Sequence, residues 1–406
     1  MKVPFSPPHI SQEAINEVVD TLKSGWITTG PKTKLFEKKL TEYCNNKSTL
    51  CVNSATFGLE HVLRWFGVGK GDEVIVPAYT YCATANVVVH TGATPVFADI
   101  NNADFNINPK KIERLITSKT KVIIPVDIAG LPADYNAIKK ITIDKSNLFS
   151  PTNEIQKQLG KILILSDAAH SFGASYFGQK TGTLADVSVF SFHAVKNLTT
   201  AEGGAIAFNL PTPFDNEAIY QKLNILSLHG QSKDALAKSG TSNWQYDVID
   251  AGYKGNMTDI QAALGLIALK YYDNETLPRR KAICNKYSDA FSKYDIFDLP
   301  VLKDEYRETS YHAYLLRIKG INKKQRNKII QNIFAKNVAV NVHFQPLPLL
   351  STYQQRGYKM ANYPVAYNNY SCEISLPVFQ DLTDEQINYV IETVIDETQK
   401  ILNANA

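Results

Sequence analysis

Six short apolar runs punctuate the first half of the chain, and their spacing decides what it can fold into. Residues 73–77, 94–100, 122–128, 162–167, 187–192 and 204–208 are rich in Val, Ile, Phe and Ala, and helical patterns separate them. Runs this apolar are strands buried on both faces, and strands alternating with helices join in parallel through crossovers. The expectation is an α/β fold. Its large domain, residues 1–250, is expected to carry a mainly parallel sheet with helices on both faces. The 406 residues are long for one core, because single cores stop growing at roughly 250–300 residues. A smaller α+β domain, residues 251–406, is expected to complete the chain.

The remaining segments fit around that plan. Pro4, Pro7 and Pro8 make residues 1–10 an extended arm. Ser11 is placed to cap a helix with Ile15, Val18, Val19 and Leu22 on one face, which Gly25 ends. Gly67-Val68-Gly69-Lys70-Gly71-Asp72 fails as a nucleotide loop, since no Ser or Thr follows Lys70 and a strand follows the run, so it reads as a turn. Residues 143–160, with Ser150-Pro151-Thr152-Asn153, read as an inserted surface excursion without assigned chemistry. Residues 231–245, rich in Ser, Lys and Gly, read as a flexible approach to the domain boundary. The small domain should hold strands near 312–318 and 338–344 and a helix near 322–336. A last helix opens on the capping box Thr383-x-x-Gln386, with Ile387, Val390, Ile391, Val394 and Ile395 on its apolar face.

Charge and cysteine usage exclude several functions. A net charge of +4 over this length makes no dedicated nucleic-acid surface, and Lys323-Lys324-Gln325-Arg326 reads as a solvated helix face. Five cysteines, an odd number with no Cys-x-x-Cys spacing, argue against a disulfide framework. No apolar run has signal-peptide or membrane-spanning length, so no membrane association and a cytoplasmic location are expected.

Three stretches carry chemistry. Lys196 follows the apolar run 187–192 within Ser191-Phe192-His193-Ala194-Val195-Lys196, and the segment closes at Glu202-Gly203-Gly204. A lysine lifted out of bulk water loses its proton more readily and becomes a nucleophile able to form a Schiff base. Asp167 ends the run 162–167 and is followed by Ala168-Ala169-His170; in open α/β sheets, ligands sit outside the carboxyl ends of strands. Asn53-Ser54-Ala55-Thr56 opens a helical pattern and offers hydroxyls and free amides to a phosphate. Together they describe a pyridoxal phosphate (PLP) site: the lysine holds the aldehyde as an imine, and the carboxylate keeps the pyridine nitrogen protonated. Tyr79-Thr80-Tyr81 follows the first of the six runs, where an aromatic ring can stack on a cofactor. No metal is expected, since His170 has no second ligand at a metal spacing.

The order of Ser-Gly-Trp-Ile-Thr-Thr-Gly-Pro-Lys (24–32), Ser-Ala-Thr (54–56), Ser-Asp-Ala-Ala-His (166–170), Ser-Phe-His-Ala-Val-Lys-Asn-Leu-Thr (191–199), Ala-Glu-Gly-Gly (201–204) and Gly-Tyr-Lys-Gly-Asn-Met-Thr-Asp (252–259) resembles that of the DegT/StrS-type sugar-nucleotide aminotransferases. Within that family the chain looks most like enzymes that aminate UDP-linked 4-keto sugars. The resemblance implies PLP fold type I, like aspartate aminotransferase, whose large domain carries a mainly parallel, mixed seven-stranded sheet sandwiched by helices, with PLP as cofactor and pyridoxamine phosphate as intermediate. It implies Lys196 and Asp167 as catalytic residues. Ala55, Thr56 and Ser191 would take the phosphate, Tyr81 would stack on the ring, and His170 would lie beside it. Asn256 would reach the cofactor phosphate of the neighbouring subunit, in a homodimer with shared active sites. Trp26, His229, Tyr311, His312 and His343 fall in segments that approach the sugar nucleotide in the family, some from the partner chain. Gly255 stands where the family often has a bulkier residue.

By the same resemblance, the substrates are a UDP-linked 4-keto-6-deoxy sugar and L-glutamate, and the product feeds surface polysaccharide or glycan assembly. In the family, histidine at the position of His170 often accompanies a 4-keto substrate and glutamine a 3-keto one. A 3-keto-sugar aminotransferase is therefore the nearest alternative. Sugar dehydratases among the relatives usually replace the lysine with histidine, which Lys196 argues against. A PLP-binding regulator would be expected to lack Lys196 or Asp167, and both are present.

Overall fold

The structure of the protein, a computed structural model, describes residues 1–232 and 245–403. Most of the stretch expected to form a flexible approach, 231–245, lies outside the described residues.

The six apolar runs and one further segment form a seven-stranded sheet: β1 (Ser48–Val52), β2 (Glu73–Pro77), β3 (Thr94–Ala98), β4 (Thr120–Ile123), β5 (Leu163–Asp167), β6 (Val187–Ser191) and β7 (Gly204–Phe208). Its order is β1-β7-β6-β5-β4-β2-β3. The strands from β3 across to β6 run parallel, while β7 is antiparallel to both of its neighbours. The sheet is therefore mixed and mainly parallel, as expected. β4 to β7 are buried at every position, Thr120, Lys121, Ser166, Asp167, Ser188 and Ser191 included, as strands covered on both faces must be. Helix α1 (Gln12–Ser24) packs on the later helix Asp259–Lys270, while α2 (Pro31–Cys44), α3 (Ala55–Trp65) and α4 (Ala83–His90) lie on the sheet. Ser11 caps α1 and Gly25 ends it in the left-handed conformation, as the sequence predicts.

A second core forms around a three-stranded sheet of β8 (Phe297–Asp298), β9 (Tyr314–Ile318) and β10 (Glu373–Leu376), with β9 in the middle. After α5 (Asp259–Lys270), helices α6 (Leu277–Phe291), α7 (Lys323–Ala335), α8 (Pro364–Cys372) and α9 (Asp384–Asn403) complete this half. The capping box at Thr383 and Gln386 is formed in both directions. The strand expected at 338–344 is not continuous; Val338 and Asn341 make isolated bridges there. The amino-terminal arm contributes to the second core, because Val3 pairs with Val338 and is fully buried.

Two local readings are refined. The turn at 67–72 is closed by the Asp72 carboxylate, which accepts the Gly69 amide at 3.0 Å. The insertion at 143–160 is more than a surface excursion. Asn153 and Gln156 side chains both donate to the Phe66 carbonyl, at 3.1 and 2.9 Å, Lys121 donates to the Ser150 carbonyl, and Phe149 joins the main core. The insertion thus supplies donors to the carboxyl end of α3, whose last carbonyls have no partner within the helix. Among the described residues, no helix is long and apolar enough to cross a membrane.

Candidate active site

The carboxyl ends of β5 and β6 open into a cavity of about 420 Å³. Asp167 is the last residue of β5. Lys196 lies five residues beyond β6 on a turn fixed by three backbone hydrogen bonds: its own N–H to the His193 carbonyl at 2.9 Å, Thr200 N–H to Phe192 at 2.9 Å, and Phe192 N–H to Gly203 at 2.9 Å. Asn197 locks the turn from below, donating to the Ser310 carbonyl at 2.7 Å while its Oδ1 lies 2.9 Å from His312 Nδ1. The glycine pair is needed because β7 passes under α3: a Cβ on Gly204 would stand 2.6 Å from the Ala55 nitrogen and 2.8 Å from the Phe190 carbonyl oxygen.

One end of the cavity is the amino terminus of α3. Ser54 caps it by accepting the Phe57 amide at 3.1 Å, which leaves the amides of Ala55 and Thr56 without intrahelical acceptors. Ser54, Ala55, Thr56 and the Ser191 hydroxyl line this end, and the helix dipole favours an anion there. At the other end Asp167 is held by the Thr84 hydroxyl, 2.7 Å from Oδ2, and by the Ala169 amide, 3.3 Å from Oδ1. Tyr81, His170, His312, His343 and Phe344 make up the remaining wall. The His170 ring lies 4.3 Å from that of His312 and 5.7 Å from that of Phe344.

Burial sets the electrostatics. It lowers the Lys196 ammonium to about 8, against the opposing pull of Asp167, so an appreciable neutral fraction exists at neutral pH. Burial raises the Asp167 carboxyl, and the Thr84 hydroxyl, the Ala169 amide and Lys196 counteract it. His170 and His312 are driven well below their ordinary value, chiefly by burial, and His343 down to about 4 by burial and then Lys196. The histidines are neutral hydrogen-bonding groups near neutral pH. His170 Nδ1 is buried with no partner. An amine, an acid and an anion-binding helix end around one cavity are the groups that PLP requires, so the residues present fit that group.

The cavity gathers most of the residues singled out from the sequence: Ala55, Thr56, Tyr81, Asp167, His170, Ser191 and Lys196, with His312 and His343. Four others lie outside it in this chain. Trp26 donates its indole N–H to the Thr29 carbonyl at 3.2 Å, and Asn256 donates to the Thr29 hydroxyl at 2.6 Å. His229 is exposed in a left-handed turn, and Tyr311 is buried with its hydroxyl on Glu308 at 2.8 Å. Gly255 has its own reason: a Cβ there would fall 2.2 Å from the Phe57 ring. Sequence reasoning passed over Thr84 and Phe344. Thr84 stands in the same aromatic and hydroxyl-rich segment as Tyr81, which was its one signal.

Comparison with known proteins follows the same lines. A model of the DegT/DnrJ/EryC1/StrS aminotransferase family matches residues 8–395. The PLP form of Spr1654 from Streptococcus pneumoniae, assigned as a sugar aminotransferase, is similar over 99% of this chain and 100% of its own, with 45% identity and a TM-score of 0.94. SpsC, a spore coat polysaccharide biosynthesis protein of Bacillus subtilis, is 37% identical over 400 residues, 97% of this chain and 96% of SpsC. PseC of Helicobacter pylori, an aminotransferase involved in pseudoaminic acid biosynthesis, is 29% identical at a TM-score of 0.86, over 98% of this chain and 100% of PseC.

Proposed function

The chain belongs to the DegT/DnrJ/EryC1/StrS aminotransferase family, and from that premise we propose that it transfers the amino group of L-glutamate to a UDP-linked 4-keto-6-deoxy sugar in the cytoplasm. It is a PLP-dependent sugar aminotransferase of fold type I, with relatives in polysaccharide biosynthesis. The observation that carries the assignment of roles is that Lys196 and Asp167 line one cavity with the amino terminus of α3. When bound, PLP would supply an aldehyde, an electron-accepting ring and a temporary carrier for the amino group.

In this reading the protein's own groups divide the work. The amides of Ala55 and Thr56 and the hydroxyl of Ser191 hold the phosphate. Lys196 Nζ would hold the cofactor's aldehyde carbon at rest, and its amine, once freed, would take the proton from the donor carbon. Asp167 holds a proton on the ring nitrogen through its negative charge. His170, which lines the cavity, supports the choice of a 4-keto sugar through the resemblance described above.

The test is visible absorption of the PLP-loaded protein. Excess L-glutamate should bleach the lysine-linked band, and a UDP-4-keto-6-deoxy sugar should restore it. Restoration by a 3-keto isomer alone would overturn the proposed regiochemistry, and indifference to glutamate would overturn the donor.

A shared site is part of the proposal. Asn256 is not among the residues lining this chain's cavity and donates to the Thr29 hydroxyl instead, which supports a role toward a partner's cofactor, and Ile15, Val19 and Leu22 expose an apolar stripe on α1 suited to a second copy. Lys196→Ala and Asn256→Ala proteins should each be impaired, yet mixing them creates hybrids with one intact site. Random exchange in a dimer should therefore recover about a quarter of wild-type activity. No recovery after verified subunit exchange, or a fully active monomer in sedimentation, would remove the shared site.

A further inference from the structure

His343 reaches the cavity from the segment before Phe344, and two elements hold it. The Tyr79 hydroxyl donates to its carbonyl oxygen at 2.6 Å. On β10, Ser375 Oγ accepts its backbone N–H at 3.1 Å and lies 2.9 Å from ring atom Nδ1. The same hydroxyl stands 2.5 Å from Oε1 of Glu373, two residues back on the same face of the strand. Glu373 is completely buried, and its Oε2 has no hydrogen-bond partner. Arg326 on α7 does not supply one, because its Nη1 donates to the backbone carbonyls of Tyr370 and Glu373. The amino-transfer roles assigned above leave this buried acid unused.

We propose that Glu373 is a positioning residue which, through the Ser375 hydroxyl, decides which ring nitrogen of His343 carries the proton, and hence whether His343 donates or accepts in the cavity it shares with Lys196. The use of that proton rests on the aminotransferase reading; the hydrogen-bond logic does not.

A serine hydroxyl has one proton to give and two lone pairs to accept with. One lone pair of Ser375 takes the His343 backbone N–H. If Glu373 is ionised, the hydroxyl proton turns to Oε1, the second lone pair accepts from Nδ1–H, and Nε2 is left bare. If Glu373 is protonated, its O–H fills that lone pair, the hydroxyl proton turns to Nδ1, and Nε2 carries the hydrogen. Carboxyl charge and ring tautomer are thereby coupled. The Asn341 amide nitrogen, 3.5 Å from Nε2, is too distant to fix the tautomer.

Burial beside an orphaned oxygen favours the neutral acid. It pushes Glu373 up to about 8, against the Ser375 hydrogen bond, the Arg326 charge and the His343 amide. Tyr79 and Cys372 also face the carboxyl, and both keep their protons near neutral pH. Below about 8, then, Nε2–H is the form presented to the cavity. A ketone oxygen leaving as water needs a proton. Transfer from Nε2 would be followed by Ser375 protonating Nδ1 and Glu373 protonating Ser375 Oγ, leaving a Glu373 carboxylate and a neutral ring. The opposite half-reaction, which consumes water, returns the proton along the same chain.

The experiment is long-range ¹H–¹⁵N correlation on holoenzyme labelled with ¹⁵N-histidine, with His343→Gln for assignment. Wild type at pH 7 should show the Nε2–H pattern for His343 and change to Nδ1–H as pH rises through about 8. Glu373→Gln should keep Nε2–H at both pH values, since its amide donates as the acid does. Ser375→Ala should show a mixture, and its kcat should fall roughly 10–100-fold with the cofactor's visible band unchanged. In Glu373→Gln the amide cannot pass a proton on to Ser375, so kcat should fall as it does in Ser375→Ala and show no further loss from this group above about pH 8. An Nδ1–H ring in wild type at pH 7, or an unchanged ring in Ser375→Ala, would overturn the inference. The expected tautomers without turnover on any keto sugar would uphold it and remove the substrate reading instead.

Discussion

Lys196→Ala protein should fold, should bind PLP only as a dissociable ligand, and should lose amino transfer by roughly 10⁴-fold or more. The expectation follows from what the turn after β6 achieves. Its backbone hydrogen bonds run through His193, Phe192, Thr200 and Gly203, and none needs the lysine side chain, so truncation leaves the turn intact. The amine itself has no substitute in the cavity. His170, His312 and His343 are neutral there, but none can form a Schiff base, and their basicity is already depressed by burial. Lysine at about 8 combines a usable neutral fraction with nucleophilicity. Lys196→Arg would keep the positive charge without either property and should be equally inactive. The check is borohydride reduction followed by intact mass measurement. Wild type gains the reduced cofactor covalently at Lys196, and the variants gain nothing. A variant that still traps cofactor would mean that another lysine carries the chemistry.

How much of this was visible beforehand depends on whether a feature is local. The apolar runs are local, and β2 begins and ends where the sequence places it, at Glu73 and Pro77. The run 122–128 is less faithful. The strand occupies Thr120–Ile123, and the chain then leaves the ladder, with Val126 making only an isolated bridge to Asp167. β1 was missed altogether: Ser48-Thr49-Leu50-Cys51-Val52 begins polar and is defined by antiparallel pairing with a strand far along the chain, β7, in the register Ser48–Phe208 to Val52–Gly204 seen only in the fold. The segment 338–344 has strand composition but bends to deliver His343, so only bridges remain. The cofactor cavity was legible because its residues sit in compact motifs at strand and helix ends. Glu373 and Ser375 were not. Glu-Ile-Ser alternates as a half-exposed strand would, with acid and hydroxyl on the face that sequence logic gives to water. Tertiary packing buries that face instead, and no local signal announces it.

Asp167→Asn is the second large effect. The substitution is nearly isosteric, and the Asp167 environment tells how the amide would sit. Its oxygen can accept from the Thr84 hydroxyl or the Ala169 amide, as the carboxylate does at 2.7 and 3.3 Å, while β5 continues its ladder to β6 unchanged. Cofactor capture should therefore persist, because Lys196 and the α3 end are untouched. What disappears is the charge that keeps a proton on the ring nitrogen, and with it the ability of the ring to accept electrons from the donor carbon. Proton abstraction should slow roughly 10³-fold or more, equivalent to about 4 kcal/mol at the barrier. A second signature separates loss of charge from general damage. Asp167 raises the Lys196 value against burial, so its removal must lower it further below about 8. In apo protein, the pH at which Lys196 becomes reactive toward an amine-specific reagent should shift downward in Asp167→Asn. Single-turnover mixing with L-glutamate measures the first effect, and reagent labelling against pH measures the second. If the variant consumes glutamate at more than a tenth of the wild-type rate, Asp167 is a structural acid and the ring nitrogen finds its partner elsewhere. If the rate falls as expected while the Lys196 titration stays in place, the two side chains do not share the field that the cavity implies.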